Sequence, residues 1–366
     1  MKKIRNGIAI MLTVLLAFLL CSCARNTDRA KNGVKITATD AKTEQTEEYN
    51  DAVFSMTIPK GWKVTCGGSD IYHSIRISDP DEPLNCMFVL LKADCLLHSQ
   101  EGKDAWKAVY NEGNRDAVIF ANAPVLEKPS TESFFKIFAQ YADMASKFEA
   151  AYVGYSFPHY DNFTVTDRFS GSGDMVKYSL GDEFLRATFT DNGRAGEGMF
   201  SASVVDFKES LYSDRTVADY GLESVDSGYY MAYNIVAITA AKDTFIEWEG
   251  LLTECLKTLK YSDIFENNIR GAIERDFFQA RCINQNFNQT MDGIMSSWDS
   301  RNKSIDIISQ KQSDATLGYE RVYDTRTKEI YRAAKGFTSS YKGKGYKPVT
   351  DDNMYTTPIS GYIEKD

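Results

Sequence analysis

Apolar and polar residues alternate in several short stretches after residue 50. Residues 54–58 and 62–64 alternate strictly, with Pro59-Lys60-Gly61 between them, which predicts two short strands joined by a turn. Residues 75–77 continue the alternation. Residues 86–91 form a nearly continuous apolar run, which is typical of a central strand that is buried on both faces.

Other stretches space their apolar residues three and four positions apart, which predicts amphipathic helices. One covers residues 100–111, and a stronger one opens at Pro129 with Ser130 as its cap. A third begins near Thr244, where Thr244 and Glu247 match a capping box. The expected buried stripe of the second helix comprises Phe134, Phe138, Tyr141, Ala145 and Phe148. That of the third comprises Phe245, Trp248, Leu252, Cys255 and Leu259.

The middle of the chain returns to strand-like composition. Residues 163–169, 183–189, 199–207 and 228–239 are rich in Phe, Val, Thr and Tyr. The sequence Asp191-Asn192-Gly193 predicts a hairpin turn, because Asn and Gly tolerate positive φ. Mostly antiparallel strands with a mid-chain helix and a closing helix predict the α+β class, with an antiparallel sheet flanked by helices.

The last hundred residues follow a different pattern. From residue 265 to about residue 309 there is no proline and apolar residues keep helical spacing, which predicts one long helix or two helices broken near Gly293 or Asp299. Residues 319–323 and 330–332 then flank a polar turn, which predicts a small aromatic β-hairpin tail.

The start of the chain has the pattern of an export signal. Three basic residues precede residues 8–20, which are apolar apart from one Thr and shorter than the roughly 20 residues of a membrane-spanning helix. The following Leu20-Cys21-Ser22-Cys23 resembles the bacterial lipoprotein lipobox. The resemblance implies that Cys23 receives a diacylglycerol and becomes the mature N-terminus. A cleaved secretory peptide without lipid and an uncleaved anchor helix are the alternatives.

These patterns divide the chain into four parts. Residues 1–22 form the predicted lipoprotein signal peptide, and residues 23–50 form the lipidated cysteine and a flexible stalk. The stalk has too few large apolar residues to offset the entropy of ordering it. Residues 51–262 form the α+β domain, and residues 263–366 form the helix and hairpin region. The expected location is the extracytoplasmic face of the cell membrane.

Two further resemblances concern the folded parts. The sequence FSMTIPKGW at residues 54–62 and the amphipathic stretch at 248–259 resemble PsbP-like domains of secreted bacterial proteins. This resemblance covers about residues 50–262 and implies a PsbP-like α+β fold. The tail is similar to a segment of uncharacterised lipoproteins of Gram-positive type, with Thr325 and Lys328 in place of a turn Pro and Gly. Neither resemblance implies an activity or a cofactor.

The charge balance excludes one class of partner. The chain of 366 residues carries 42 Lys and Arg against 51 Asp and Glu, a formal net charge of −9. Residues 1–22 hold three basic and no acidic residues, so their removal leaves −12. Nucleic-acid binding needs a basic face, and an anionic bilayer repels an acidic body. We therefore expect no nucleic-acid partner, and contact with the membrane through the lipid alone.

Candidate catalytic groups are few. No nucleophile elbow, zinc-protease motif, phosphate-binding loop or EF-hand loop occurs in the sequence. His159 and Asp161 share a proline-containing loop and would form a base oriented by an acid, although no nucleophile can be assigned to them. Cys95 and His98 form a second hypothetical pair. No catalytic residue, metal ligand or cofactor is predicted.

Five cysteines remain after processing, so at least one is free or pairs with another chain. Cys66 and Cys95 lie at predicted element ends and would be placed to bridge, whereas Cys86 and Cys255 lie in apolar patterns typical of core residues. Asp79-Pro80-Asp81-Glu82 and Asp351-Asp352-Asn353 offer oxygens to Ca²⁺, but solvated turns are the favoured interpretation.

Tyrosines are the candidate binding residues. The chain is 13% aromatic, and aromatic faces can stack on sugars or peptides. The candidates are Tyr152, Tyr155 and Tyr160 in one loop-like stretch, and Tyr323, Tyr331, Tyr341 and Tyr346 in the tail. Packing within a tyrosine-rich sheet is the alternative. Residues 335–347 also carry four lysines and no acid, which would suit an anionic wall polymer.

The sequence therefore predicts a membrane-tethered, non-catalytic binding or assembly module for a cell-envelope protein or glycan. The alternatives are an extracytoplasmic hydrolase with an unrecognised His–acid or Cys–His site, and a solute-binding receptor, for which two similar lobes are not visible. A hydrolase requires two of Cys95, His98 and His159 to converge with a nucleophile in a cleft.

Overall fold

The computed structural model describes residues 34–38, 44–170, 180–207, 225–242, 244–274, 311, 314–315, 317–351, 354–355 and 359–365. The predicted signal peptide and Cys23 lie outside these ranges. The chain divides into a larger unit, Asp40–Leu317, and a smaller unit that combines Met1–Thr39 with Gly318–Asp366. The two units meet along the chain after residue 39 and after residue 317.

The secondary-structure elements are numbered in chain order. The strands are β1 (Val34–Ala38), β2 (Thr46–Asn50), β3 (Phe54–Pro59), β4 (Lys63–Gly67), β5 (Ser74–Ser78), β6 (Cys86–Leu97), β7 (Asp161–Ser170), β8 (Gly181–Asp191), β9 (Arg194–Phe207), β10 (Tyr229–Ala241), β11 (Lys260–Tyr261), β12 (Tyr319–Asp324), β13 (Ile330–Ala334), β14 (Tyr346–Pro348) and β15 (Ile359–Lys365). The helices are α1 (Gln100–Asn111), α2 (Val118–Asn122), α3 (Thr131–Phe148), α4 (Phe245–Lys257), α5 (Asp263–Glu274) and α6 (Phe337–Ser340).

Within the described part of the larger unit, seven strands form one antiparallel sheet in the order β4-β5-β6-β10-β9-β8-β7. Strand β6 lies inside the sheet, and its residues are buried apart from the half-buried Asp94. The predicted mixed α+β class with a large antiparallel sheet is confirmed.

The sheet has a hydrophobic core on each face. Successive side chains of a strand point to opposite faces. Accordingly Phe88 and Leu90 of β6 pack with the buried aromatic residues of α3, whereas Met87 and Val89 pack with α4 and β3. Both faces of β6 are covered, which explains its nearly continuous apolar sequence.

The two long helices differ in how they begin. Ser130 caps α3, since its Oγ accepts a hydrogen bond from the Ser133 backbone N–H at 3.1 Å. Thr244 precedes α4, but its hydroxyl donates to the carbonyl oxygen of Ala241 at 2.9 Å. The predicted cap at Ser130 is therefore confirmed, while the predicted capping box at Thr244 does not form.

Part of the segment expected to be a stalk is a strand. Strand β2 pairs antiparallel with β3, and β11 pairs with the other edge of β3. The residues of β2 are exposed apart from the half-buried Tyr49. Main-chain pairing and polar contacts, such as the 2.7 Å hydrogen bond from Thr57 Oγ1 to Glu48, hold the strand. Because this pairing needs little apolar burial, the composition of residues 46–50 did not reveal it.

The described part of the smaller unit contains a sheet. Its five described strands form one sheet in the order β1-β15-β13-β12-β14, in which β13 and β15 are parallel and the other neighbours antiparallel. Strands β12 and β13 pair around the polar turn at residues 325–329. Strand β1, within the expected stalk, pairs with β15, the last strand of the chain. The core of the unit includes Val34, Val322, Tyr331, Phe337 and Ile363.

The helix expected after Asp263 begins where the sequence places it, as α5 (Asp263–Glu274). Its predicted continuation through residues 275–309 lies outside the described residues. Among the helices that the structure describes, none combines the length and the apolar character needed to cross a membrane.

Candidate functional site

The three candidate tyrosines at 152–160 are packing residues. Tyr152, Tyr155 and Tyr160 are 0%, 8% and 2% exposed and lie in the core beneath α3. The Tyr152 hydroxyl donates to the Tyr72 carbonyl oxygen at 2.7 Å, and the Tyr155 hydroxyl lies 2.8 Å from Ser74 Oγ. Their rings are covered by protein, so they offer no face on which a ligand from solution could stack.

The tail tyrosines are partly accessible. Tyr331 is buried, whereas Tyr323, Tyr341 and Tyr346 are half-buried. Tyr341 stacks on Phe337 with ring centroids 5.2 Å apart, and Tyr346 meets Tyr331 edge-on at 6.1 Å. These rings pack mainly on one another inside the smaller unit. All four lysines between residues 335 and 347 are exposed.

The hypothetical Cys95–His98 pair is not formed. Cys95 is buried, and burial raises the pKa of its thiol well above the ordinary value. His98 lies between two carboxylates instead, with Nε2 3.2 Å from Asp206 Oδ1 and Nδ1 3.0 Å from Asp226 Oδ2. The bridge proposed between Cys66 and Cys95 is also absent, since both are free thiols. Cys282 lies outside the described residues.

The expected His159–Asp161 pair is replaced by a different contact. His159 Nε2 lies 3.7 Å from Asp143 Oδ1 of α3, and Asp161 is the exposed first residue of β7. Asp143 is itself 75% exposed, so this pair is solvated and weak. His159 nevertheless lies in the lining of a groove.

The groove is an open cavity of about 360 Å³ in the larger unit. Strand β5, the loop at residues 156–159 and the turn between β8 and β9 meet around it. Its polar lining comprises Arg76, Ser156, His159, Asp191, Asn192 and Arg194, and its apolar lining comprises Pro83, Leu84 and Phe157. We call this cavity the arginine groove.

Local sequence explains how two sides of the arginine groove are built. Asn192 and Gly193 have φ values of 50° and 76°, which confirms the turn predicted for Asp191-Asn192-Gly193. This turn carries Asp191 and Arg194 to the groove. Arg76 belongs to β5, and its Nη1 donates to the Ser156 carbonyl oxygen at 3.2 Å.

The charges of the groove are only partly neutralised. Arg194 pairs with Glu82, and the side chains of this pair are 50% and 28% exposed. Asp191 Oδ1 accepts a hydrogen bond from Asn192 Nδ2 at 2.8 Å. Within the described residues no acid forms an ion pair with Arg76, and its buried Nε has no hydrogen-bond acceptor. Arg76 therefore has no acidic partner among the described residues, although its guanidinium also contacts the Cys86 thiol.

A second polar cluster lies inside the larger unit, around Lys92. Its Nζ lies 2.9 Å from Asp94 Oδ2, and the lysine side chain is 1% exposed. Tyr72 donates a hydrogen bond to the same carboxylate, and the rings of Tyr72 and Tyr233 lie 5.3 and 5.6 Å from Nζ. Burial, together with the Asp94 carboxylate, raises the pKa of Glu149 to about 7.

A β-bulge accompanies this cluster. The register between β6 and β10 shifts between Tyr230 and Ala232, so that Asp94 and Cys95 face one residue of β10. Cys95 has a φ of 60°, in the left-handed region that non-glycine residues seldom adopt. Bulges are frequent beside functional sites, but these groups are enclosed by their own partners.

The acidic loop at residues 79–82 uses its carboxylates internally. Asp79 Oδ1 accepts from the Asp81 backbone N–H at 2.9 Å, and Oδ2 accepts from Asn85 Nδ2 at 3.2 Å. In the part of the chain that the structure describes, no group of three or more His, Cys, Asp or Glu side chains is placed to hold a metal ion. Asp352 and Asn353 of the other acidic loop lie outside that part.

Sequence reasoning missed the arginine groove. Its basic residues come from positions 76, 159 and 194, which only the folded sheet and its loops bring together. The signal for the Lys92 cluster was present, because a lysine interrupts the long apolar run of β6.

The chain matches no protein-family model and no curated protein.

Proposed function

We propose that this chain is a lipid-anchored protein of the extracytoplasmic membrane face that acts as a non-catalytic binding or assembly module. The observation that carries the proposal is the arginine groove, an open cavity whose lining includes Arg76, His159 and Arg194. Guanidinium groups bind charged partners through directed hydrogen bonds and do not themselves transfer protons or groups.

The tether is part of the proposal. The basic start, the apolar run at residues 8–20 and the lipobox-like Leu20-Cys21-Ser22-Cys23 support lipidation at Cys23. Two acyl chains anchor a protein stably without help from an acidic body. A sheet that carries helices on both faces is compatible with a PsbP-like domain, and this relationship also belongs to the proposal.

The arrangement around His159 favours binding over catalysis. A general base needs a nucleophile within hydrogen-bond distance and a third group to orient it. The acid neighbour of His159 is the exposed Asp143, at 3.7 Å. Among the described residues no hydroxyl or thiol is hydrogen-bonded to His159, and the contact of Ser156 with Arg76 is made by its carbonyl oxygen.

An extracytoplasmic hydrolase is the alternative function. One observation favours it, since Ser156 and His159 line the same groove. Catalytic hydrogen bonds can be long in a free enzyme and shorten when substrate binds. The two functions differ in one measurable way, because only the hydrolase releases products from its ligand.

The experiment uses the full chain expressed in a Gram-positive host. Mass spectrometry of the N-terminal peptide should detect a diacylglyceryl group on Cys23, and C23A should leave the protein outside the membrane fraction. Purified wild-type protein should co-sediment with cell-wall sacculi without releasing soluble fragments.

Three outcomes would count against the proposal. An unmodified Cys23 would contradict the proposed lipid anchor, and failure to bind any envelope fraction would contradict the proposed binding function. Release of wall fragments by the wild type, but not by S156A or H159Q, would establish the hydrolase instead.

A further inference from the structure

We infer that the arginine groove binds the phosphate group of an anionic cell-envelope polymer. This inference rests on the proposed function and names the ligand class of the same site. It depends on three features of the groove, namely its two arginines, the lack of a described carboxylate partner for Arg76, and its open shape.

The first feature is the pair of arginines in the lining. Arg76 and Arg194 line one cavity together with His159, with Asp191 as the acid in its lining and Glu82 paired with Arg194. Because these two acids balance the two arginines, the attraction of the cavity for an anion depends on directed hydrogen bonds from the guanidinium groups.

The second feature is Arg76 itself. Its side chain is half-buried, one of its donors is used on the Ser156 carbonyl oxygen, and no described acid pairs with it. A guanidinium group that is partly removed from water and lacks a carboxylate partner lowers the stability of the folded state, because its lost hydration is not replaced. An oxyanion in the groove would offset that cost through charge-assisted hydrogen bonds.

Arg194 can also bind the phosphate group with little change in the stability of the fold. In its pair with Glu82 the arginine side chain is 50% exposed and the carboxylate side chain 28% exposed, and pairs this accessible to solvent contribute little to stability. Arg194 can therefore exchange Glu82 for a ligand oxyanion at small cost. His159, whose ring is half-buried in the same lining, supplies a further donor.

The third feature is shape. A cavity of about 360 Å³ is at the small end of the range for small-molecule sites, so it holds one repeat unit and not a long segment. It is open to solvent, which lets a polymer continue beyond it. Leu84 and Phe157 provide an apolar wall for the carbon atoms next to the phosphate. Phosphate offers more oxygens than carboxylate to the donors of Arg76, Arg194 and His159.

The test measures binding of the full chain, purified in nonionic detergent, by titration calorimetry. The ligands are inorganic phosphate, a short polyphosphate, polyglutamate of similar charge and an uncharged polyol. The variants are R76Q, R76K and R194Q, with K107Q as the control, because Lys107 is an exposed lysine of α1. Thermal unfolding and co-sedimentation with sacculi are recorded for each variant.

We expect polyphosphate to bind more tightly than polyglutamate, and the polyol not to bind. R76Q should weaken polyphosphate binding by about tenfold or more, since one charge-assisted contact is lost. R76K keeps the positive charge but loses the planar, bidentate donor geometry of the guanidinium group. Its loss of polyphosphate affinity should therefore be smaller than that of R76Q. R194Q should lose several-fold, and K107Q should bind like the wild type.

Four results would overturn the inference. These are tighter binding of polyglutamate, no binding of polyphosphate, an equal loss in K107Q, and unchanged binding in R76Q and R194Q that unfold like the wild type. If sacculi are still bound while polyphosphate is not, the phosphate assignment fails and the proposed binding function stands.

Discussion

Lys92 Nζ lies 2.9 Å from Asp94 Oδ2, and the two residues are neighbours on one face of the central strand β6. The lysine is 1% exposed, and its charge is also covered by the rings of Tyr72 and Tyr233. A buried ion pair of this kind gives little net stability, yet loss of one partner leaves an uncompensated charge. The effects of Lys92 and Asp94 on the free energy of unfolding should therefore be strongly coupled.

Replacing one member of the pair should be more harmful than replacing both. We expect K92M to lower the free energy of unfolding by about 3 kcal/mol, because Asp94 then lacks its cation. The double variant K92M/D94N should lose less than the sum of the two single losses. Urea unfolding followed by circular dichroism measures all three values.

The matched control for this cycle is K63M, which removes an exposed lysine from β4. It should change the free energy of unfolding by no more than about 0.5 kcal/mol. Strict additivity of the two single variants would show that Lys92 and Asp94 are not coupled.

Glu149 should make the protein less stable as the pH rises. Burial and the Asp94 carboxylate raise its pKa from 4.5 to about 7, so the folded state binds more protons than the unfolded state between these values. The contribution of Glu149 is greatest below pH 4.5 and falls by about 3 kcal/mol as the pH increases to 7. E149Q should remove this slope in urea midpoints measured from pH 4 to 8. An identical slope in E149Q would assign the effect to another group.

His73 should act in the opposite direction. It is 5% exposed among Phe54, Tyr261 and Phe265, and burial lowers its pKa from 6.5 to about 4 although Asp51 opposes the shift. The unfolded state then binds more protons between pH 4 and 6.5, so stability is lost as the pH falls through this window. In H73F the loss between pH 6.5 and 5 should be smaller than in the wild type. Comparison of H73F with E149Q separates the two opposed slopes.

Gly67 should be intolerant of a side chain. A Cβ at this position would overlap the ring of the buried Tyr155. G67A should therefore cost about 2 kcal/mol, because the core must shift to accept one methyl group. The matched control is G250A in α4, where an added Cβ meets no atom within 4 Å. It should raise the stability by about 0.5–1 kcal/mol through helix propensity. Equal melting temperatures for G67A and the wild type would contradict the packing described for Tyr155.

Much of the larger unit could be predicted from sequence periodicity. The helix α3 was visible because its aromatic residues repeat every three or four positions, and the strands around β6 because apolar residues alternate or run together. These periodic patterns reflect which side chains are buried, and they can be read from residues that are close together in the sequence. The strands β1 and β2 were not predicted, since main-chain pairing holds them and it leaves little trace in composition.

The candidate site was less predictable for a related reason. Clustered tyrosines at 152–160 suggested an accessible surface, but a tyrosine fills a core equally well once its hydroxyl finds a partner, as Tyr155 does at Ser74. The basic groups at positions 76, 159 and 194 meet only through long-range contacts. No local sequence pattern indicates that these three residues lie close together, so the groove could be recognised only in the folded structure.

The pairing of β1 with β15 has a mechanical consequence. Under the proposed anchoring, a pull on the lipid acts on β1 at residue 34, along the axis of the strand. The register from Val34 opposite Lys365 to Ala38 opposite Gly361 means that such tension slides β1 along its neighbour and strains the pairing over its whole length together. A pull on the anchor would thus be resisted first by the hydrogen bonds between β1 and β15. A protein truncated before residue 359 would lack β15 and would lose this resistance.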